Sequence, residues 1–268
     1  MEKIDRLGWT VGISLTAYGV RVGIRVNRAE LLPRIASLLP PGWKPVVSQI
    51  TDRLYSLIVG NQGTRIRGLN LLYVGARRLA RTLDLDEALE ALESDLQLYV
   101  AENAKRRLFV HAGVVAWKGS AIVIPGRTYS GKSTLVAAFI RAGATYYSDE
   151  YAALDERGRV HPYPRMLSLR QAVGDVSRTT VEAGVRAVPV RFVVVTKYRE
   201  GARWRPRALS QGEGVLRLLA NTIPARSRPA AALSILRKAV SGAVILSGRR
   251  GEADEVVRLM LSETFDAV

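Results

Sequence analysis

The chain has 268 residues, of which 48% are hydrophobic, and it contains no cysteine. This size can bury one large core or two smaller ones, and the lack of cysteine excludes disulfides, thiolate metal sites and a cysteine nucleophile. The chain has 40 basic and 24 acidic side chains, and its formal net charge of +16 indicates an anionic partner.

The positive charge is scattered along the chain and does not form one basic block. No nucleic-acid recognition motif accompanies it, so a nucleotide or an acidic protein surface is favoured over nucleic acid. Residues 1–6 carry charges without an apolar segment behind them, and no uncharged run is long enough to span a bilayer. We therefore expect a cytoplasmic protein that is neither secreted nor inserted in a membrane.

Residues 1–105 are predicted to form a separate, strand-rich α+β domain. Apolar residues alternate with polar ones from Trp9 to Val26, around a turn at Ala17-Tyr18-Gly19, which predicts a β-hairpin. The further elements predicted here are a helix over 28–39, strands over 54–59 and 71–74, and a long helix over 84–105 capped by Asp84 or Asp86. No chemical motif occurs in this domain, so we interpret it as a scaffold, a substrate-docking surface or a homo-oligomer contact.

The strongest motif of the chain lies in the second predicted domain, residues 106–268. Residues 126–133 fit the phosphate-binding loop pattern G-x-x-x-x-G-K-[ST] without a gap. An apolar run over 120–125 precedes the loop and apolar residues at helical spacing follow it, so strand, loop and helix occur in the required order. The residues predicted to hold a nucleotide are Gly126, Thr128, Tyr129, Ser130, Gly131, Lys132, Ser133 and Thr134. Lys132 would reach the β- and γ-phosphates, and the Ser133 hydroxyl would bind Mg²⁺.

Candidate catalytic groups lie on both sides of this loop. His111 belongs to a predicted strand over 108–117, one hairpin away from the loop, although a lone histidine among apolar neighbours is more often structural. A short strand over 144–148 ends in Asp149-Glu150. One carboxylate could orient a magnesium ion and the other accept a proton, as in phosphoryl transfer, or the pair could simply end a strand before a turn.

Further strands and helices are predicted over the remainder of the chain. Strands are predicted over 166–170, 192–195 and 243–246, and helices over 211–221, 229–240 and 252–263. Arg226 precedes one of these helices, where an arginine could stabilise charge on a transferring phosphoryl group. An exposed, arginine-rich loop is the favoured explanation of the same residue, because arginine is common throughout this chain.

Residues 109–154 resemble the HPr serine kinase/phosphorylase family, whose catalytic domain is related in fold to phosphoenolpyruvate carboxykinases. In that family a histidine lies 21 positions before the loop lysine, and His111 has this spacing from Lys132. The family's paired carboxylates lie 16 and 17 positions after the loop serine, and Asp149 and Glu150 have these spacings from Ser133. The resemblance implies an α/β chain with a P-loop nucleotide-binding domain of the HPr kinase type.

The resemblance also implies roles for these residues. Lys132 and Ser133 would bind ATP and Mg²⁺, Asp149 would join the metal shell, Glu150 would be the base, and His111 would orient or charge the pair. The loop interior 127–130 differs from the family pattern, Glu150 replaces an aspartate, and the HPr-gripping segment has no counterpart after residue 170. We therefore expect a serine kinase acting on another protein or peptide, with a small-molecule kinase or a nucleotide-gated binding module as alternatives.

Overall fold

The structure, a computed structural model, describes residues 9–47, 50–60, 68–126, 130–170 and 176–265. Over these ranges the protein is mixed α/β, with two large mixed sheets, one two-stranded sheet and six α-helices. The chain divides into two compact units, Met1–Arg106 and Arg107–Val268. Within the described ranges, every helix is too short or too polar to cross a membrane.

The first unit is built on a six-stranded sheet. Its strands are β1 (Val11–Ala17), β2 (Val20–Val26), β3 (Lys44–Pro45), β4 (Arg53–Ile58), β5 (Asn70–Val74) and β6 (Arg77–Thr82). They lie in the order β3-β1-β2-β4-β5-β6, and all neighbours are antiparallel except the parallel pair β2–β4. The predicted hairpin is confirmed, and its turn has positive φ angles at Tyr18 and Gly19, which match the twist of the paired strands.

Two helices complete this unit, α1 (Leu32–Ser37) and α2 (Leu85–Asn103). The single helix predicted over 28–39 was wrong at its start, where the chain forms a 3₁₀ turn, Ala29–Leu31, and a proline occupies the first turn of α1. A proline is tolerated only in the first helical turn, because it has no N–H and its ring clashes with the preceding turn. Asp84 caps α2 by accepting from the Asp86 backbone N–H at 2.8 Å.

The second unit is built on an eight-stranded sheet and a separate two-stranded one. The strands are β7 (Leu108–Trp117), β8 (Ser120–Pro125), β9 (Thr145–Ser148), β10 (Tyr151–Leu154), β11 (Val160–His161), β12 (Leu167–Arg170), β13 (Val176–Thr179), β14 (Val190–Tyr198), β15 (Arg207–Leu209) and β16 (Val244–Arg250). The large sheet has the order β11-β10-β7-β8-β14-β16-β15, with β9 also paired to β7, and β12 pairs with β13 alone. Only the pairs β8–β14 and β14–β16 are parallel.

Helices cover both faces of this sheet: α3 (Lys132–Arg141), α4 (Gln211–Leu219), α5 (Pro229–Val240) and α6 (Ala253–Leu259). Helices α4 and α5 share one core with Val193, whereas α3 and α6 share another with Val194. Consecutive residues of a strand point to opposite faces, so β14 contributes to both cores. Burial on both faces also explains why the predicted strand 192–195 is apolar throughout.

Candidate active site

Strand β7 holds the two halves of the predicted site together. It lies between β8, which leads into the glycine loop, and β10, which follows the two carboxylates. The His111 carbonyl accepts from the Gly126 N–H at 3.3 Å, and the Ala112 N–H donates to the Glu150 carbonyl at 3.1 Å. Two consecutive residues of β7 therefore contact the start of the loop on one side and the carboxylate pair on the other.

Glycines are required at both ends of the loop. A Cβ at Gly126 would lie 2.6 Å from Ser130 Oγ, and Gly131, the residue before α3, has a φ of +81°. The first is closer than real Cβ contacts, and the second is a conformation that other residues rarely adopt. Ser130 Oγ is buried and has no hydrogen-bond partner among the described residues. Two predicted nucleotide contacts, Thr128 and Tyr129, lie outside the described residues.

Lys132 begins α3 and is 7% exposed. The helix lies close to β7 because Gly113 has no side chain: a Cβ there would be 2.6 Å from Val136 Cγ2 and 3.7 Å from Lys132 Cβ. Burial lowers the pKa of Lys132, while the negative charges of Glu150 and Asp149 act in the opposite direction. The lysine therefore lies within electrostatic range of both carboxylates.

The first turn of α3 carries two further predicted contacts. Ser133 is partly buried and Thr134 is exposed. Both side chains are near the helix N-terminus, where backbone N–H groups lack intrahelical partners and favour anions. This places them, with Lys132, at the same end of the helix as the loop.

His111 is oriented by the backbone of the carboxylate pair. Its Nδ1 lies 2.9 Å from the Glu150 carbonyl oxygen, and since a carbonyl can only accept, Nδ1 carries the proton and Nε2 the lone pair. Burial, together with the positive charge of Lys132, lowers the pKa of His111 to about 4. The imidazole is therefore neutral near pH 7, which favours the orienting role over the charging one.

The two carboxylates have different surroundings. Asp149 is 8% exposed, and its Oδ1 lies 3.2 Å from the Tyr146 hydroxyl, whose single proton it shares with the Arg165 carbonyl oxygen at 2.9 Å. The Glu150 side chain is 37% exposed, and its Oε1 lies 3.8 Å from His111 Nδ1. Ser148 Oγ turns the chain here by accepting from the N–H groups of Glu150 and Tyr151 at 3.1 and 3.0 Å. Asp149 thus belongs to the interior and Glu150 to the solvent edge.

A metal ion would find hard oxygen donors at this position. No group of three or more His, Asp or Glu side chains suited to a metal occurs within the described residues. Mg²⁺ does not need such a group, because it usually retains several waters and binds one or two carboxylates together with substrate phosphates. The Asp149 carboxylate and the Ser133 hydroxyl fit this pattern in their chemistry.

Arg226 lies in a segment that is anchored to β7. The Asn221 carbonyl accepts from the His111 N–H at 2.7 Å, and Thr222 forms an isolated bridge with Val110. A 3₁₀ turn, Ile223–Ala225, follows and ends at Arg226. The Arg226 side chain is exposed and makes no hydrogen bond or ion pair with the described residues, so its role stays a prediction.

The structure brings four predicted side chains, those of His111, Lys132, Asp149 and Glu150, to one place around β7. A scan against protein-family models and a search of curated proteins both find no match to this chain. What the site does must therefore be inferred from its geometry and its chemistry. Sequence patterns missed two neighbours of this site. Tyr146, beside Asp149, is recognised only by its burial, and Arg250 contacts the loop from a distant part of the sequence.

The low pKa of His111 predicts a pH dependence of stability. Its ordinary value is 6.5 and its folded value about 4, so between these the unfolded chain binds a proton that the folded one does not. The contribution of the neutral His111 to the free energy of unfolding is fully present above pH 6.5 and is lost as the pH decreases towards 4. Relative to His111→Asn, whose amide can still donate to the Glu150 carbonyl, we expect the wild type to lose about 2 kcal/mol between pH 7 and pH 5.

Urea unfolding at both pH values measures this difference, since other titrating groups are shared by the two proteins. NMR titration of the ring protons tests the cause directly, because the chain contains only two histidines, His111 and His161. The His161→Asn variant assigns the two signals. A His111 pKa at or above 6.5 would contradict the proposed burial of a neutral ring.

Proposed function

We propose that the protein is a kinase that transfers the γ-phosphoryl group of ATP, in the presence of Mg²⁺, to a serine hydroxyl of a protein or peptide. In this proposal the second domain is a P-loop domain of the HPr kinase type. The observation that carries the proposal is the buried Lys132 at the end of a glycine loop, within electrostatic range of Asp149, Glu150 and a neutral His111. A buried cation and acidic groups beside a phosphate-binding motif suit phosphoryl transfer.

The loop would hold the phosphates. The N–H groups at the start of α3 and the Lys132 ammonium favour the β- and γ-phosphates, and burial strengthens this attraction by excluding water. The buried Ser130 hydroxyl, which lacks a partner among the described residues, suits a phosphate oxygen. When bound, Mg²⁺ would neutralise charge on the phosphates, and Ser133 and Asp149 are the residues that fit it.

The acceptor would enter from the solvent edge at Glu150. Its carboxylate accepts the proton of the serine hydroxyl, the serine oxygen forms a bond to the γ-phosphorus, and the bond from that phosphorus to the bridging oxygen breaks, releasing ADP. His111 fixes the backbone of Glu150 through its carbonyl, and Tyr146 holds Asp149 in the interior. Arg226 is proposed to approach the transferring group from its exposed segment.

Incubation of the purified protein with γ-labelled ATP and a cell lysate tests this function. We expect label on the serine of a macromolecule, identified by mass spectrometry. Label on a small metabolite would favour a small-molecule kinase, and tight ATP binding without turnover would favour a nucleotide-gated binding module. If the protein neither binds ATP nor transfers label, the proposed function is wrong.

A further inference from the structure

Arg250, the last residue of β16, is buried directly beside the glycine loop. It is 2% exposed, and one terminal nitrogen donates to the Gly131 carbonyl at 2.9 Å while the other donates to the Gly251 carbonyl at 3.0 Å. No carboxylate forms an ion pair with it among the described residues, and its guanidinium carbon lies 5.4 Å from the centre of the Tyr198 ring. Burial lowers the pKa of Arg250 although the nearby charge of Glu252 acts in the opposite direction. Burying a cation is costly, so an arginine that is buried here and hydrogen-bonded to two carbonyls needs an explanation.

The Gly131 carbonyl is a critical point of the loop. It accepts from Arg250 and also from the Leu135 N–H at 3.2 Å, the first hydrogen bond of α3. A trans peptide directs its C=O and the following N–H in opposite directions. Holding the Gly131 carbonyl therefore fixes the direction of the Lys132 N–H, which points out of the N-terminal end of the helix.

The contact leaves no room for another residue at the loop end. A Cβ at Gly131 would lie 2.4 Å from the Arg250 terminal nitrogen. Gly131 is therefore required both for its left-handed backbone and for the approach of the guanidinium. The neighbouring Arg249 is exposed, as strand alternation requires.

We infer that Arg250 is a positioning residue for the glycine loop, which holds the Gly131–Lys132 peptide in the orientation that receives a phosphate. Its fixed fork of donors suits two carbonyls at once, a geometry that lysine does not offer. The nucleotide part of this inference rests on the proposed function, whereas the hold on the loop does not. Both parts can be measured separately.

Amide hydrogen exchange in the ligand-free protein tests the hold on the loop. The Leu135 N–H donates to the Gly131 carbonyl, so its exchange should accelerate about tenfold or more in Arg250→Met. Methionine has a similar length but lacks the guanidinium and its hydrogen bonds. Arg250→Lys should restore part of the protection. The Ala142 N–H, at the other end of α3, and the control Arg249→Met should both stay unchanged. A general loss of stability would instead accelerate Leu135 and Ala142 alike.

Kinetics with ATP then test the consequence. We expect the KM for ATP to rise about tenfold or more in Arg250→Met while kcat falls far less, because the loop still reaches its bound form once the nucleotide is held. Unchanged Leu135 exchange in Arg250→Met would overturn the inference, and so would equal acceleration at Ala142. If the Leu135 N–H alone exchanges faster in Arg250→Met but the wild-type protein does not bind ATP, the hold on the loop is upheld and the proposed function is refuted.

Discussion

Replacing Lys132 by alanine is expected to lower kcat/KM for ATP-dependent transfer by at least about a hundredfold. The ammonium is buried at the start of α3, so its loss removes a charge from a place where water cannot compensate for it. We expect ATP affinity to weaken as well, because the phosphates lose a charge-assisted hydrogen bond in the ground state. Single-turnover assays with γ-labelled ATP, together with calorimetry, measure the two effects separately.

Lys118→Gln is the matched control for this variant. Lys118 is exposed in the turn between β7 and β8, at the opposite end of that hairpin from the loop, and its replacement also removes one lysine charge. We expect wild-type activity from it. Since burial disfavours the Lys132 ammonium, Lys132→Ala should fold without loss of stability. A folded Lys132→Ala protein with full activity would refute the nucleotide site.

The Glu150→Gln variant is expected to bind ATP normally and to transfer its phosphoryl group about 10² to 10⁴ times more slowly. Glutamine keeps the size of the side chain but cannot accept the proton of the attacking hydroxyl. Its backbone carbonyl remains available to His111 Nδ1 and to the Ala112 N–H, so the surrounding geometry should persist. The rate of serine phosphorylation under saturating ATP is the quantity to measure.

Glu156→Gln provides the control for the loss of an acidic side chain, because Glu156 is exposed in the turn after β10. It should keep the wild-type rate. Glu150→Asp tests distance, since the shorter side chain withdraws the carboxylate and should give an intermediate rate. A Glu150→Gln protein that transfers at full rate would show that the base lies elsewhere, with the neutral His111 as the next residue to test.

Sequence patterns predicted most of the longer elements of the fold and some short ones, including β9 and β12, but missed several strands. Hairpins with alternating apolar residues and helices with apolar residues at helical spacing occur where predicted, as β1–β2 and α5 do. Strand β6 was missed because its arginines interrupt the alternation, and β10, only Tyr151–Leu154, is too short to show a period. Such strands form because neighbouring strands offer hydrogen bonds, which no local pattern records.

The sequence proposed the members of the candidate site but could not show their electrostatics. Spacing in the sequence selected His111, Lys132, Asp149 and Glu150, and the structure groups their side chains around β7. Spacing could not distinguish the buried carboxylate from the exposed one, nor could it show that the histidine is neutral. These properties depend on burial and on which partner each atom faces, and both are set by the packing of β7, β10 and α3.

The glycine loop shows most directly what the sequence determined and what the tertiary structure determined. The sequence alone predicted a phosphate-binding motif over Gly126 to Ser133, because its glycines, lysine and serine are close together along the chain in the spacing that this chemistry needs. Only the tertiary structure brought Arg250 to the Gly131 carbonyl, across 119 positions of sequence. A contact of that kind arises when the carboxyl ends of parallel strands lie at one edge of a sheet, as those of β8 and β16 do on either side of β14, and the packing of the whole sheet decides which residues meet there.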